Sequence, residues 1–427
     1  MKKLAVAILL VFAIALTFVL TACNQTKTVT VKFDLQGGQM SEPLVIKVEK
    51  DKTISLPTPT KDGCTFVGWF TGVQDESLQI TEDTLIFDDI TLYAHWLTPS
   101  QELEYTRLPD NTYACTGIGG FSGSTLVIPQ QYEGVAVKSI ADEAFADNSN
   151  LKSLVISDGV TSVGSYAFAN CENLKSITVS SSVTSIGENA FSLCENVESV
   201  YISDLAAWCE LDFGGYSANP LYYGGKLYLN SEEITNWTVP EDATKIGSFA
   251  FYNRTDLGWV NIPDSVRSIG ESAFDGCKNM TSVVISENVE TIGDKAFRGC
   301  SKLREISIPA QVETIGEWAF NMCSALEEIT FEEGSFLKVI EKSTFSGCHS
   351  LKEFVFPSRV STVNENAFYG CVSLTKVVVP ETVTDIQSFV FSGCSNLTLY
   401  CAVDSRQVGW ADNWVEYSIP VVWGYQQ

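Results

Sequence analysis

The stretch LREISIPAQVETIGEWAFNMC at residues 303–323 decides the fold. Ile306 and Ile308 alternate with polar residues as in a short strand, and Pro309 ends the strand because it has no N–H group to continue a ladder. Gly316 is expected to permit a turn before the chain returns. A single stretch of this kind cannot bury its own apolar side chains, so it must stack on copies of itself.

The same frame recurs along the chain, and its Ala-Phe pair is the clearest marker. The repeated Phe stands at Phe145, Phe168, Phe191, Phe251, Phe274, Phe297, Phe320, Phe345, Phe368 and Phe391. Successive gaps are 23 residues, apart from one gap of 60 and one of 25. Ten such units with strands about 4.8 Å apart predict a solenoid about 50 Å long.

Composition and charge remove several classes of function. The 427 residues include 27 Lys and Arg against 52 Asp and Glu, a formal charge of −25, which repels nucleic acid and anionic lipid headgroups. A hydrophobic content of 45% is enough for a substantial core. Only two His are present, so a His-rich metal site is excluded.

The N-terminus has the pattern of a bacterial secretory signal. Met1-Lys2-Lys3 precedes an apolar run at residues 4–20. A plain signal peptide or a single membrane span remains an alternative, since the run is at the lower length limit for a span. The run ends in Leu20-Thr21-Ala22-Cys23, which resembles the lipobox of bacterial lipoproteins. This resemblance implies that residues 1–22 are removed, that Cys23 is acylated, and that residues 23–27 link the lipid to the protein.

A small β module is expected at residues 28–97. Val29, Val31 and Phe33 alternate with polar residues and stop at Gly37-Gly38, which is typical of a strand and turn. Together with the later Gly68-Trp69-Phe70, the order of aromatics and glycines resembles the internalin B-repeat (Listeria-Bacteroides repeat) module. That resemblance implies a β-grasp-like domain that serves as a spacer or a binding module.

The repeated frame resembles the leucine-rich repeats of BspA-like surface proteins. We therefore expect a β-rich solenoid of 23-residue units with short parallel strands at residues 137–400, with an insert near 203–231. The resemblance extends to a linker and N-terminal cap at residues 98–136 and a C-terminal cap at residues 401–427. Both caps would cover apolar cross-sections that a solenoid otherwise exposes.

Eight of the thirteen Cys lie three residues after the repeated Phe. They are Cys171, Cys194, Cys277, Cys300, Cys323, Cys348, Cys371 and Cys394. Asn148 and Arg254 occupy this position in the other two units, so the repeat does not require sulfur chemistry. Buried free thiols are the favoured interpretation, and disulfides between adjacent coils or a metal site are the alternatives.

The 60-residue gap contains one ordinary unit and 37 further residues. Ser203-Asp204 are good helix N-caps ahead of Leu205, and Gly224-Gly225 between alternating arms predicts a two-residue hairpin. The segment is rich in aromatic residues, which either cover the interrupted coil or contact a partner. The candidate contact residues here are Tyr201, Trp208, Tyr216, Tyr222, Tyr223 and Tyr228.

Outward strand positions supply further candidates. Trp259 and Asn261 lie on one predicted strand and complete the set of candidate partner-binding residues. Glu305, Glu328 and Glu353 follow one another on three adjacent coils. Like charges stacked in this way repel, so the row either binds cations or basic partners, or is relaxed by the neighbouring Arg304 and Lys352; we favour the second explanation.

The chain carries no recognisable catalytic motif. Neither a nucleophile elbow, a zinc-binding His-Glu-x-x-His nor a phosphate-binding loop occurs, so we expect no enzyme activity, no cofactor and no metal. The leading hypothesis is a lipid-anchored protein on the extracellular face of the cell envelope. Its solenoid would bind a protein, such as host extracellular matrix or another cell's surface. A glycan-binding or cell-wall-associated module and an architectural spacer without a ligand are the alternatives.

Overall fold

The computed structural model describes residues 28–61, 64–73, 77–81 and 84–426. They form two compact units, of which one ends at Pro99 and the other begins at Ser100. Cys23 and the expected signal peptide lie outside the described residues. Among the residues that are described, no helix has the length and apolar character needed to cross a membrane.

The first unit is a mixed five-stranded sheet. Its strands are β1 (Thr28–Asp34), β2 (Val45–Glu49), β3 (Thr65–Phe70), β4 (Gln79–Ile80) and β5 (Ile90–Leu97), in the order β2-β1-β5-β3-β4. β1 runs parallel to β5, and the other pairs are antiparallel. Val29, Val31 and Phe33 are all buried, as their alternation predicts. The buried Trp69 packs beside Phe33 with ring centroids 4.7 Å apart.

The second unit is a solenoid of about 14 turns, called coils below. Two ladders of short parallel strands run along it. The first ladder contains β8 (Thr125–Ile128), β11 (Ser153–Ile156), β13 (Ser176–Val179), β15 (Ser199–Ile202), β17 (Lys226–Leu229), β19 (Trp237–Thr238), β21 (Trp259–Asn261), β23 (Ser282–Val284), β25 (Glu305–Ile308), β27 (Glu328–Phe331), β29 (Glu353–Val355), β31 (Lys376–Val379), β33 (Thr398–Cys401) and β35 (Val421–Trp423).

The second ladder follows the first within each coil. It contains β7 (Tyr113–Gly117), β10 (Val135–Ile140), β12 (Ser162–Val163), β14 (Ser185–Ile186), β16 (Asp212–Phe213), β20 (Lys245–Ile246), β22 (Ser268–Ile269), β24 (Thr291–Ile292), β26 (Thr314–Ile315), β28 (Val339–Ile340), β30 (Thr362–Val363), β32 (Asp385–Ile386) and β34 (Gly409–Trp410). Three antiparallel strands are added to the ladders: β6 (Glu104–Arg107), β9 (Gln131–Tyr132) and β18 (Glu232–Glu233).

The register of the strands reproduces the sequence period. Ser153 lies opposite Ser176, and Ser176 lies opposite Ser199, so each residue pairs with the one 23 positions later. The prediction of a solenoid with parallel strands and 23-residue units is therefore confirmed. Leu303, Ile306 and Ile308 are buried, as the alternation in the defining stretch predicts.

The repeated Phe form a stack of nearly parallel rings through the core. The Phe297 and Phe320 centroids are 5.4 Å apart with an interplanar angle of 2°. The Phe297 N–H donates to the Ala319 carbonyl of the next coil at 2.8 Å, so the backbone fixes the distance at which the rings stack. At the C-terminal end, Trp414 packs edge-on against Phe391, with an interplanar angle of 78°.

The eight repeated Cys are buried free thiols rather than disulfides. Each thiol donates a hydrogen bond to the carbonyl oxygen of the Phe in the preceding coil, such as Cys323 Sγ to Phe297 O at 3.1 Å. Burial raises the pKa of the Cys323 thiol to about 12. Because the thiolate is the reactive form, Cys323 is a packing residue and not a nucleophile.

The glycine that follows the second-ladder strand has a different role from the one expected. Gly316 does not have a positive φ, so the expected turn is not the reason for a glycine there. A Cβ at Gly316 would lie 2.7 Å from the Gly293 carbonyl carbon of the preceding coil and closer still to the Asp294 backbone nitrogen. The glycine therefore permits close approach of neighbouring coils.

Positive φ occurs instead two residues before each repeated Phe and again at the position two residues after it. The later position has a φ of 57–78° in all ten units, although only five of them have glycine there. The ten residues are Asp147, Asn170, Leu193, Asn253, Gly276, Gly299, Met322, Gly347, Gly370 and Gly393.

The insert is a complete irregular coil followed by a hairpin. Helix α1 (Leu205–Glu210) begins as expected, with the Asp204 carboxylate accepting the Ala207 N–H at 3.0 Å. The hairpin predicted at Gly224-Gly225 is wrong, because these residues precede β17, which joins the first ladder in parallel with β15. The hairpin lies one strand later, where Asn230 and Ser231 connect β17 to β18 with positive φ at both positions.

Candidate interaction surface

The outward side of the first ladder, here the strand face, carries four of the candidate residues. Tyr201 on β15 lies directly opposite Tyr228 on β17, and their rings stack with centroids 5.1 Å apart at 23°. In-register parallel strands hold equivalent side chains about 4.8 Å apart, which is close to the stacking distance of two rings. The two rings are partly exposed and form one aromatic platform.

Trp259 and Asn261 occupy the strand face on β21. They flank the buried Val260, so both side chains point outward, and Trp259 is 42% exposed. The Trp259 N–H donates to Asn236 Oδ1 at 3.0 Å, which fixes the start of this strand. β17 and β19 are not paired, so the Tyr201–Tyr228 platform and Trp259 lie on separate sheets of the same ladder.

The surface formed by the Phe-containing turns, here the turn face, carries three more of the candidate residues, Tyr216, Tyr222 and Tyr223. The Tyr222 ring lies 5.0 Å from Tyr216 and 4.6 Å from Tyr223, measured between centroids. Tyr216 is 51% exposed, whereas the Tyr223 hydroxyl accepts a hydrogen bond from the Leu193 N–H at 2.9 Å. Burial, followed by the neighbouring Tyr216 and Tyr223, raises the pKa of Tyr222, so its hydroxyl remains neutral and able to donate.

Trp208 does not belong to either surface. Its side chain is 2% exposed, and its indole Nε1 donates to the Ala250 carbonyl at 3.1 Å. It packs edge-on against Phe213, inside the coil that the insert forms. Within that coil Ala218 takes the place of the repeated Phe, because the Phe191 N–H bonds to Ser217 O just as the Phe168 N–H bonds to Ala190 O. Trp208 is thus a core residue where the ring stack is interrupted.

Tyr252 belongs to the turn-face cluster, and the sequence reasoning missed it. Its ring centroid lies 5.7 Å from that of Tyr222 and 6.1 Å from that of Tyr216. The signal was available in the repeat, since the position after the repeated Phe is small or polar in most units and aromatic only at Tyr252 and Tyr369. Tyr252 therefore stands out when the residues directly after each repeated Phe are compared with one another.

The row of Glu305, Glu328 and Glu353 lies on the strand face as expected, but the neighbouring cations interact with a different glutamate. Glu305 and Glu328 are directly opposite in the β25–β27 pair. Lys352 forms its ion pair with Glu327 instead of with the row. Arg304 also acts on Glu327, whose pKa is lowered first by Lys352 and to a lesser degree by Arg304. Among the described residues, neither cation forms an ion pair with Glu305, Glu328 or Glu353, and relaxation of the row by these neighbours stays a prediction.

The described parts of the chain contain no group of three or more His, Cys, Asp or Glu placed to hold a metal ion. The exposed groups on the two faces include flat rings, hydroxyls, carboxylates and lysines such as Lys226 and Lys376. Such groups bind by contact and hydrogen bonding, and the interior is filled by apolar side chains that include the repeated Phe and Cys.

Family models match both units. A model described as the BspA type leucine-rich repeat region matches in six copies over residues 124–208, 224–337 and 333–401. A model described as the Listeria-Bacteroides repeat domain matches residues 30–95. A search of curated proteins finds no match.

Several solved structures are similar to this chain. A leucine-rich cell surface protein from Faecalibacterium prausnitzii is 24% identical over 70% of this chain and 92% of its own, with a TM-score of 0.38. A leucine-rich repeat protein from Bacteroides ovatus is 23% identical over 76% of this chain and 98% of its own, with a TM-score of 0.40. A leucine-rich repeat protein from Eubacterium ventriosum is 22% identical over 75% of this chain and 90% of its own, with a TM-score of 0.41.

Proposed function

This chain belongs to the BspA-type leucine-rich repeat family, and from that premise we propose that it is a non-catalytic protein of the bacterial cell surface that binds another protein through its solenoid. Leucine-rich repeat proteins generally bind proteins and are typically not enzymes. The first unit, with its Listeria-Bacteroides repeat, would act as a spacer or an accessory binding module.

The observation that carries the proposal is the aromatic content of the strand face. The stacked Tyr201 and Tyr228 and the outward Trp259 with Asn261 place large rings and an amide on a face whose neighbouring positions are mostly small or polar. Tyr and Trp supply much contact area for little lost side-chain freedom, and they are enriched where protein interfaces gain most of their binding energy. Host extracellular matrix or the surface of another cell would be the partner.

Location on the extracellular face of the envelope, with a lipid on Cys23, is a separate part of the proposal. It rests on the signal-like N-terminus and on the Leu20-Thr21-Ala22-Cys23 sequence. Cys23→Ala should move the protein from the membrane fraction to the soluble fraction, while Cys64→Ala, as the control, should stay with the membrane. Retention of the Cys23→Ala variant in the membrane would contradict lipid attachment.

Glycan binding is the second candidate function, and the exposed Trp259 favours it specifically. An indole ring that is 42% exposed beside the amide of Asn261 could stack on a sugar while the amide bonds its hydroxyls. Cell-wall polysaccharide would then be the ligand.

Screening separates these functions. The purified full chain, immobilised, would be tested against a panel of extracellular-matrix proteins and against a glycan array. We expect binding to a protein, weakened at least tenfold by Trp259→Ala and by Tyr201→Ser, and unchanged by the control Tyr166→Ser, which removes an exposed ring elsewhere. Binding on the glycan array alone would favour the second function, and silence on both would favour a spacer.

A further inference from the structure

Apart from the insert, one coil of the solenoid is two residues longer than the 23-residue units around it, and the additional length lies directly after β27. Four positions separate Ile308 from Val312 in the preceding coil, whereas six separate Phe331 from Leu337. The longer loop contains Glu332-Glu333-Gly334, and Gly334 has a φ of +83°. The two additional residues account for the spacing of 25 residues between Phe320 and Phe345.

Both ladders are interrupted at this coil. In the first ladder β25 pairs with β27 and β29 pairs with β31, but β27 and β29 are not paired. In the second ladder β26 and β28 are not paired either. The first ladder is also unpaired between β23 and β25, where the spacing is the usual 23 residues, so what distinguishes this coil is the longer loop together with an opening of the strand face between β27 and β29.

The opening is a groove of about 680 Å³ lined by both acidic and apolar side chains. Its acidic residues are Glu327, Glu328, Glu332, Glu333 and Glu353. Glu327 is paired with Lys352, and Glu332 accepts the Ala310 N–H at 3.1 Å. Within the described residues, Glu328, Glu333 and Glu353 have neither an ion pair nor a side-chain hydrogen bond.

The apolar side of the groove is an independent feature. Val355 is 74% exposed on β29, the first strand of a four-stranded sheet, and Phe331 and Phe356 lie beside it. A neighbouring depression of about 440 Å³ extends this lining through Val378 and Pro380. Lys376, which lies opposite Glu353 in register, also lines the depression, and its ammonium group lies over the rings of Tyr400 and Tyr425. Exposure of connected apolar surface is unfavourable unless a partner covers it.

We propose that this groove binds an extended basic segment of another polypeptide, with Lys or Arg side chains against Glu328 and Glu353 and an apolar side chain against Val355. Glu353 and Val355 are two residues apart on β29 and point to the same side, as i and i+2 residues of an extended ligand also do. A basic residue followed two positions later by an apolar one would therefore meet both. A small inorganic cation would leave Val355 uncovered.

The test uses the full chain and two labelled heptapeptides of equal composition. Lys-Ser-Val-Ser-Lys-Ser-Val places its basic and apolar residues on the same side of an extended strand, whereas Lys-Val-Ser-Ser-Lys-Val-Ser places them on opposite sides. Fluorescence polarisation at low salt would measure both affinities. We expect the first peptide to bind at least fivefold more tightly, and its affinity to fall as salt is added.

Variants assign the binding to the groove. Glu328→Gln with Glu353→Gln should weaken the first peptide about tenfold, and Val355→Ser should weaken it about threefold. The matched control is Glu172→Gln with Glu195→Gln, which makes the same charge change at exposed glutamates on N-terminal coils. All substituted side chains are exposed, so circular dichroism should show unchanged folding.

Three results would overturn the proposal: equal affinity for the two peptides, equal weakening by the matched control, or competition by spermine as strong as that by the peptide. Each would mean that only the general negative charge attracts cations. The groove contains none of Tyr201, Tyr216, Tyr228 and Trp259. Failure here therefore leaves the aromatic surfaces and the proposed function to their own tests.

Discussion

Cys300 Sγ donates a hydrogen bond to the carbonyl oxygen of Phe274 in the preceding coil, at 3.3 Å. The same oxygen accepts the N–H of Cys277 at 3.2 Å. Seven of the ten repeated Phe carbonyls, those of Phe168, Phe251, Phe274, Phe297, Phe320, Phe345 and Phe368, thus receive one bond from their own coil and one from the next. Two units have Asn148 or Arg254 in place of Cys, and in both cases the preceding coil lacks a repeated Phe. A Cys therefore occurs at this position only where the preceding coil offers a Phe carbonyl as an acceptor for its thiol.

Replacement of one thiol should therefore be more costly than its size suggests. Cys300→Ala removes a fully buried side chain and one bond to Phe274 O, so we expect the free energy of unfolding to fall by about 1.5 kcal/mol. Chemical denaturation followed by circular dichroism would measure it. The control Cys64→Ala, at a partly exposed site of the first unit, should change stability by less than about 0.5 kcal/mol. Equal effects would contradict the role of the bond.

Alkaline pH should destabilise the solenoid through buried thiols, both the repeated Cys323 and Cys115 near the start of the second unit. Burial raises the pKa of Cys323 and of Cys115 from 9.0 to about 12. Between these values the unfolded thiol loses its proton while the folded one keeps it, so stability falls as pH rises above 9. The loss per thiol at pH 10 is about 1.4 kcal/mol.

Comparison with a double variant isolates this effect from other titrations. Cys323→Ala with Cys115→Ala should be less stable at pH 7 but should lose less stability between pH 8 and pH 10. Urea midpoints measured across this range provide the check. Parallel curves for the two proteins would show that these thiols titrate normally.

Two glycines of neighbouring coils should respond differently to substitution. Gly299 has a φ of +71°, and a Cβ there would make only ordinary 3.8 Å contacts with Gly276, so Gly299→Ala should cost about 1 kcal/mol and Gly299→Asn less. Gly316→Ala should cost about 3 kcal/mol, because its Cβ would meet the backbone of Gly293 and Asp294. Thermal unfolding of the three variants would measure the order. A Gly316→Ala protein as stable as Gly299→Asn would show that the coils separate without cost.

The turn-face tyrosines should separate into binding and structural residues. Tyr223→Ser removes the acceptor of the Leu193 N–H, so we expect a loss of about 1.5 kcal/mol in stability. Tyr216→Ser removes a ring that is 51% exposed and should change stability by less than about 0.5 kcal/mol. Melting temperatures and partner binding would be measured for both. If Tyr216→Ser lowers the melting temperature and leaves binding intact, Tyr216 is a packing residue.

The repeat predicted the fold because its chemistry is periodic. Apolar residues at the positions of Ile306 and Phe320 recur in the ten regular units, and neighbouring copies bury them together by stacking in register. The positive φ two residues after each Phe was not predicted, because Leu193 and Met322 occupy it as well as glycine. There the hydrogen bonds of the coil, rather than residue preference, impose the conformation.

The insert was harder to predict because local signals compete there with the ladder. Gly224-Gly225 is a good hairpin sequence, yet β17 gains more backbone bonds by continuing the first ladder beside β15. Trp208 had the composition of a contact residue, but the interrupted ring stack left space for a large side chain in the core. The sequence could place most of the candidate aromatic residues in the insert but could not say which of them are exposed. Exposure depends on which coil each ring packs against.

The edge-on packing of Trp414 against Phe391 has a consequence for how such proteins change in length. A stack of parallel rings accepts another ring at any point, whereas an edge-on indole presents no flat face for a further ring. Duplication or deletion of coils should therefore be tolerated between Phe251 and Phe391 but not beyond Trp414. Each duplicated coil in that interval would lengthen the solenoid by about 4.8 Å and leave both ends of the protein unchanged.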